Sequence, residues 1–280
     1  MTPRRTAREI EIVAAGAGPP RPAAAAPASE ALAMLARRGV HPTAARPDVP
    51  FPLDLEPDRA ARLAASLDHY AFRLFLRGAI ERRRGFAPAE ATRYLSPAQA
   101  RAHAEALVTL GLARRLGRGR YALRYPARSF GGTLEWYVAR ELERRFGCDV
   151  ASSLKLRIRG VGGDLDVVAA AEGKLVCLEL KSSPPSQLKP GEIRAFLLRV
   201  RALRPDLALF VIDTSLRLSD RVLPLFAGVL GVRVGTLRRV ERELWAVTPH
   251  LYLVNAGPDL LANVGRALAH GLHALAPAPP

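Results

Sequence analysis

The chain has 280 residues, 49% of them hydrophobic and 24% charged, so it can bury a substantial core, and a disordered or fibrous chain is excluded. Its formal charge is +16, because 42 lysines and arginines stand against 26 acidic residues, and this excess favours a polyanionic partner, nucleic acid before membrane. Two cysteines are too few for a disulfide framework, and no apolar run is long enough to span a bilayer, so we expect a cytoplasmic protein without a membrane partner.

The N-terminal part of the chain divides into an arm and a helical module. Residues 1–50 mix alanine, proline, glycine and arginine without periodicity, apart from a short helix predicted over 29–38, and are expected to form a flexible arm. Apolar residues at three-to-four spacing predict a long helix over 58–84 and a shorter one over 88–95. Ser96-Pro97-Ala98-Gln99 has the pattern of a capped helix start, which predicts a third helix over 96–111.

After this helix, residues 112–115 and 121–123 flank the turn Gly117-Arg118-Gly119 and predict a β-hairpin. Three helices and a basic hairpin resemble a winged helix-turn-helix, which would make residues 51–128 a mainly α, DNA-contacting domain. Between residues 73 and 128, thirteen arginines stand against three acidic residues, a concentration that a general arginine bias would not produce. The candidate nucleic-acid-binding residues are Gln99, Arg101, Arg114, Arg115, Arg118 and Arg120. Winged helices also mediate protein contacts, so that alternative stays open.

The remaining residues, 129–280, predict an α/β domain. A helix over 133–146 is followed by strands at 153–158, 164–170 and 174–180, a helix over 191–203 and a continuous apolar strand at 207–212. A helix over 220–230, a strand at 251–255 and a helix over 259–275 complete the pattern. This order favours a mixed β-sheet core flanked by helices.

Charged residues interrupt two of these apolar strands. Asp166 lies on the second strand, and Glu179 and Lys181 share one face of the third. Carboxylate and carbonyl oxygens are the ligands that Mg²⁺ prefers, so Asp166, Glu179 and the Leu180 carbonyl could hold one ion, with Lys181 beside the attacking water or the scissile phosphate. Asp164 is a second candidate for the position of Asp166.

The stretch Gly163-Asp164-Leu165-Asp166 followed by Glu179-Leu180-Lys181 resembles the PD-(D/E)xK nuclease superfamily, which includes restriction endonucleases and Holliday-junction resolvases. The resemblance covers about residues 131–215 and implies a restriction-endonuclease-like core and a Mg²⁺-dependent endonuclease, with Mn²⁺ as a substitute metal. It also implies that Glu135, on the helix before the strands, is an additional metal ligand. The sequence departs from the usual motif because a leucine precedes Asp166.

The sequence therefore predicts a metal-dependent nuclease whose winged helix delivers nucleic acid to the α/β domain. We expect DNA rather than RNA as the substrate, although the sequence barely separates the two. A protein that cuts both strands with one site per chain would need to form a homodimer. The alternative is a non-catalytic DNA-binding transcriptional regulator or scaffold with a degenerate nuclease-like domain.

Overall fold

The protein is described by a computed structural model over residues 29–82 and 85–276. The helices are α1 (Glu30–Arg37), α2 (Pro57–Asp68), α3 (Tyr70–Glu81), α4 (Pro88–Ala91), α5 (Pro97–Thr109), α6 (Gly131–Phe146), α7 (Pro190–Leu203), α8 (Val222–Leu230) and α9 (Leu260–Leu275). The strands are β1 (Thr43–Ala44), β2 (Ala113–Gly117), β3 (Arg120–Leu123), β4 (Asp149–Lys155), β5 (Asp164–Ala171), β6 (Lys174–Lys181), β7 (Leu207–Ile212), β8 (Arg238–Glu241), β9 (Leu244–Thr248) and β10 (Leu251–Asn255).

Eight strands form one mixed sheet in the order β1-β4-β5-β6-β7-β10-β9-β8. β6, β7 and β10 run parallel, whereas the other neighbours are antiparallel. Every residue of the central strand β7 is buried, because apolar clusters that include helical residues cover both of its faces. The prediction of an α/β protein with a mixed sheet flanked by helices is confirmed.

The helical module has α2, α3, α4 and α5, followed by the β2–β3 hairpin. The single long helix predicted over 58–84 is wrong, since His69 adopts an extended conformation and separates α2 from α3. The capped start of α5 is confirmed: Ser96 Oγ accepts a hydrogen bond from the Gln99 backbone N–H, and the Gln99 side chain accepts one from the Ser96 N–H. The hairpin pairs Ala113 with Leu123.

The expectation of a flexible arm up to residue 50 is corrected for residues 29–50. α1 buries Ala31 and Leu35 in a cluster with β4, β5 and β6, and β1 pairs with β4 through Thr43 and Ala44. Residues 29–50 are ordered because they pack against apolar residues of the sheet, and this surface cannot be recognised from the sequence of the segment itself. Residues 1–28 lie outside the described residues.

The helical module and the sheet share one hydrophobic core. A single cluster of buried residues extends from Phe51 and Leu63 through Phe130 and Tyr137 to Val254 on β10. The division into domains at residues 128 and 129 therefore stays a prediction. Within the described ranges, no helix combines the length and the apolar character needed to cross a membrane.

Candidate active site

Asp166 and Glu179 lie where β5 and β6 separate. The backbone pairing of these strands runs from Ala171 and Lys174 to Val167 and Leu178 and ends there. Beyond that point the backbone N–H of Leu180 donates a hydrogen bond of 2.7 Å to Asp166 Oδ2. The Asp166 side chain thus replaces a strand partner, and this fixes its carboxylate beside β6.

Glu179 is 5% exposed, and a different cation contacts each of its carboxylate oxygens. Lys181 Nζ lies 3.0 Å from Glu179 Oε1, on the same face of β6, and the guanidinium of Arg199 on α7 donates to Glu179 Oε2. Lys181 also lies 3.3 Å from Glu192 Oε1 on α7. Leu180 faces the opposite side of the sheet and is buried in the core that includes α6, as predicted. The structure therefore brings Asp166, Glu179 and Lys181 together.

Glu135 approaches the same place from α6. Its Oε2 accepts a hydrogen bond of 2.6 Å from Ser153 Oγ on β4. Burial raises the pKa of Glu135, and the charges of Asp164 and Glu179 add to this effect. Glu135 is thus close enough to Asp166 and Glu179 for their charges to interact, and the exposed Asp164 lies near Glu135.

Two pKa values show how this cluster is charged. Burial raises the pKa of Asp166 well above its ordinary range, and the neighbouring Glu179 and Glu135 carboxylates raise it further. Burial opposes the charged form of Lys181, but the nearby carboxylates, Glu179 first, together raise its pKa. Lys181 is consequently an ammonium group at neutral pH in the metal-free protein. A bound metal ion would instead lower the pKa of Lys181, because its positive charge disfavours a neighbouring ammonium group.

The donor set suits a hard divalent cation. The carboxylates of Glu135, Asp166 and Glu179 lie close enough to influence one another, Lys181 and Arg199 contact Glu179, and carboxylate oxygens are ligands that Mg²⁺ takes. Among the described residues, however, no group of three or more His, Cys, Asp or Glu side chains is arranged to hold a metal ion. The residues present therefore fit a site with two carboxylates, Asp166 and Glu179, in which water completes the coordination.

The raised pKa of Asp166 makes a testable prediction about stability. The folded protein holds this proton more tightly than the unfolded chain does, so ionisation of Asp166 removes stability as pH rises above about 4, the ordinary value for aspartate. In EDTA, Asp166→Asn should be more stable than the wild type at pH 8, and the difference should shrink as pH falls to 4. Each unit by which the folded pKa exceeds the unfolded one corresponds to about 1.4 kcal/mol.

Urea unfolding at pH 4, 6 and 8 measures this difference. Asp164→Asn is the matched control, because Asp164 is exposed and its replacement should leave stability nearly unchanged. A stability difference for Asp166→Asn that does not vary with pH would contradict the prediction.

The predicted nucleic-acid-binding residues fall into two groups. Three have partners within the protein: Gln99 caps α5, Arg115 contacts Glu105, and Arg120 contacts Glu90. The other three, Arg101, Arg114 and Arg118, are exposed, and their side chains form no hydrogen bond or ion pair with a described residue. These three are the ones best placed to contact phosphates.

Sequence reasoning missed Arg199. It lies on α7 three residues after Phe196 and six after Ile193, so it belongs to the buried stripe of that helix. An arginine on a stripe of apolar residues signals a buried anionic partner, because an unpaired buried charge is strongly unfavourable. The same signal was present at Arg73, which lies among the buried residues of α3.

No protein-family model matches the chain, and no curated protein matches its sequence. The chain is similar to the crystal structure of protein VC1899 from Vibrio cholerae, with a TM-score of 0.52 and 15% identity, over 86% of this chain and 62% of that chain. It is also similar to Can2 from Sulfobacillus thermosulfidooxidans, solved in complex with cyclic tetra-adenylate, with a TM-score of 0.47 and 16% identity, over 85% of this chain and 59% of that chain. The chain thus spans less than two thirds of either structure, and the first likeness shows a shared fold.

Proposed function

We propose that the protein is a metal-dependent nuclease that hydrolyses phosphodiester bonds in DNA, with a restriction-endonuclease-like core and an N-terminal winged helix. One observation supports this most strongly. At the point where β5 and β6 separate, the mutually repelling carboxylates of Asp166 and Glu179 lie beside the ammonium group of Lys181. A buried like-charge pair is costly unless it binds a cation or a proton, and such pairs are concentrated at functional sites.

The chain's own residues have separate roles in this proposal. Asp166 and Glu179 would hold Mg²⁺ or Mn²⁺ together with water and the Leu180 carbonyl, and Glu135, which is hydrogen-bonded to Ser153, would belong to the network around these ligands. A bound divalent ion supplies Lewis acidity and a water of lowered pKa. Lys181 donates hydrogen bonds to the scissile phosphate or to the attacking water. Burial disfavours the charged form of Lys181, so its contacts with Glu179 and Glu192 are what keep it an ammonium group.

The choice of DNA rests on the helical module. Its helices and its hairpin have the order of a winged helix-turn-helix, and Arg101, Arg114 and Arg118 extend from α5 and from the hairpin into solvent. Phosphate contacts of this kind position a duplex without reading its sequence. Cleavage of both strands would require a second copy of the chain, so a homodimer belongs to the proposal.

Metal-dependent cleavage tests the proposed function directly. Purified protein should cut supercoiled plasmid DNA in Mg²⁺ or Mn²⁺ but not in EDTA. Asp166→Asn should reduce the rate at least about 100-fold, because a weakened ligand set no longer supports the metal's role. If Asp164→Asn lowers the cleavage rate more than Asp166→Asn does, Asp164 rather than Asp166 is the metal ligand.

Glu172→Gln serves as the matched control for this assay. Glu172 is exposed in the turn that joins β5 to β6, so its replacement removes a carboxylate from the same hairpin without approaching the site. Cleavage that persists in EDTA, or equal rates for Asp166→Asn and Glu172→Gln, would refute the proposal.

A second candidate is a non-catalytic DNA-binding regulator or scaffold. The contact between Arg199 and Glu179 favours it, because an arginine then occupies the oxygen that a metal would need. A protein of this kind should bind a palindromic duplex in a salt-dependent manner and show no turnover in any metal. The assay above separates it from the nuclease.

A further inference from the structure

A cleft of about 920 Å³ lies between the helical module and the sheet. On one side it is lined by α3 and by the segment from α4 into the loop before α5. On the other side it is lined by the loops that follow β6 and β7, at Ser182–Pro184 and Asp213–Leu216. The carboxyl ends of neighbouring parallel strands are where open α/β sheets bind ligands.

The wall on the helical side is basic. Arg82, Arg93 and Arg128 line the cleft and are exposed. Three acidic residues also line it: Asp213 is paired with two arginines, Glu90 is engaged by Arg120 and by the backbone of α4, and Glu81 is exposed. Even with Arg128 lying 3.9 Å from Asp48, Arg82 and Arg93 outnumber Glu81, so the excess charge is positive and favours an anionic ligand.

An aromatic ring stands at the edge of this cleft. Tyr94 is 67% exposed, in the loop between α4 and α5. The Arg93 guanidinium lies 5.1 Å from the ring centroid and donates a hydrogen bond of 3.0 Å to the Tyr94 hydroxyl. Neither side chain has another hydrogen-bond partner among the described residues. An exposed ring beside arginines is the arrangement on which proteins stack unpaired bases.

The loop that follows β6 joins the cleft to the candidate active site. Ser182, on its wall, directly follows Lys181 in the chain. A second cleft of about 740 Å³ shares Ser183 and Gln187 with the first and includes Glu192, the residue that contacts Lys181. A polynucleotide bound at Lys181 can thus pass around this loop into the larger cleft and reach Tyr94.

We propose that the larger cleft binds two or three unpaired nucleotides of the substrate strand, with one base stacked on Tyr94. The inference rests on the proposed function and names its substrate class, a duplex that ends in a single-stranded extension. A cavity of about 920 Å³ falls in the range that holds a drug-sized ligand, which suits a short single-stranded segment better than a duplex. Because Tyr94 lies three residues before the start of α5, a duplex on the helical module can continue as a single strand in the cleft.

Binding measured in EDTA tests this inference without any cleavage. Fluorescence anisotropy should show that the wild type binds a duplex with a six-nucleotide extension, DNA or RNA, more tightly than the same duplex with blunt ends. Tyr94→Ala should weaken binding of the extended duplex about 5- to 150-fold, the range for losing one stacked base, and leave blunt binding unchanged. Arg93→Ala should weaken it in the same direction.

Tyr125→Ala is the matched control, since Tyr125 is also an exposed tyrosine of the helical module but does not line the cleft. Unchanged binding in Tyr94→Ala, an equal loss on blunt DNA, or no preference of the wild type for the extension would each overturn the inference. The two proposals can fail separately. If binding prefers the extension and depends on Tyr94 but no metal-dependent cleavage occurs, the nuclease proposal is refuted and the cleft assignment stands. If cleavage occurs without that preference, the cleft assignment is refuted and the nuclease proposal stands.

Discussion

Lys181→Ala should reduce metal-dependent cleavage by about 10²- to 10⁴-fold, the usual contribution of a positioned proton donor or acceptor. The reason is geometric, because Lys181 Nζ lies 3.0 Å from Glu179 Oε1 and on the face of β6 where a phosphate would approach the carboxylates. Binding of DNA in EDTA should change much less than cleavage, since the arginines of the helical module provide most of the phosphate contacts.

Lys174→Ala is the matched control for this prediction. Lys174 begins β6 at the end opposite Lys181, forms no ion pair with a described residue, lines neither cleft and carries the same charge. Its replacement should leave the cleavage rate within about twofold, as expected for a surface change away from the site. Equal activity of the two variants, with both folded by circular dichroism, would remove Lys181 from the mechanism.

The parts of the fold that the sequence predicted best were those with local signals. The capped start of α5 depends on four consecutive residues, and β7 is recognised from an uninterrupted apolar run. β8 and β9 were missed, and β4 lies at Asp149–Lys155 rather than at 153–158. The exposed edge strand β8 owes its structure to pairing with β9, so its sequence has little apolar pattern of its own.

The candidate site, like the fold, was predictable only where its residues give a local signal in the sequence. Asp166, Glu179 and Lys181 are anomalous on apolar strands and could be found from the sequence alone. Their partners could not, because Arg199, Glu192 and Ser153 come from other elements and meet the strands only through tertiary packing. Asp213 directly follows β7, and only the structure shows that it is the centre of a buried ion-pair network.

This network joins the helical module to the sheet. Asp213 is 0% exposed and accepts hydrogen bonds from Arg73 Nε at 2.9 Å and Arg77 at 2.8 Å, both on α3. Its backbone N–H donates a hydrogen bond of 2.8 Å to the Lys181 carbonyl. The end of β7, the loop that lines the cleft and the helical module are thus held by one carboxylate.

Asp213→Ala should lower the free energy of unfolding by about 3–5 kcal/mol, because it leaves the 1%-exposed Arg73 buried without its anionic partner. Urea unfolding measures the change. Glu30→Ala, which breaks the exposed pair with Arg37, is the control and should have a small effect, since exposed ion pairs contribute little.

A triple replacement separates stability from specificity at this network. Arg73→Met, Arg77→Met and Asp213→Leu together remove all three charges and fill a similar volume, so no charge is left unpaired. Such replacements of buried ion pairs are often neutral or stabilising, so the triple variant should recover much of the stability that Asp213→Ala loses. If it recovers stability but loses the preference for a single-stranded extension, the network serves to orient the helical module over the cleft. If it recovers neither, the three side chains contribute to stability beyond the pairing of their charges.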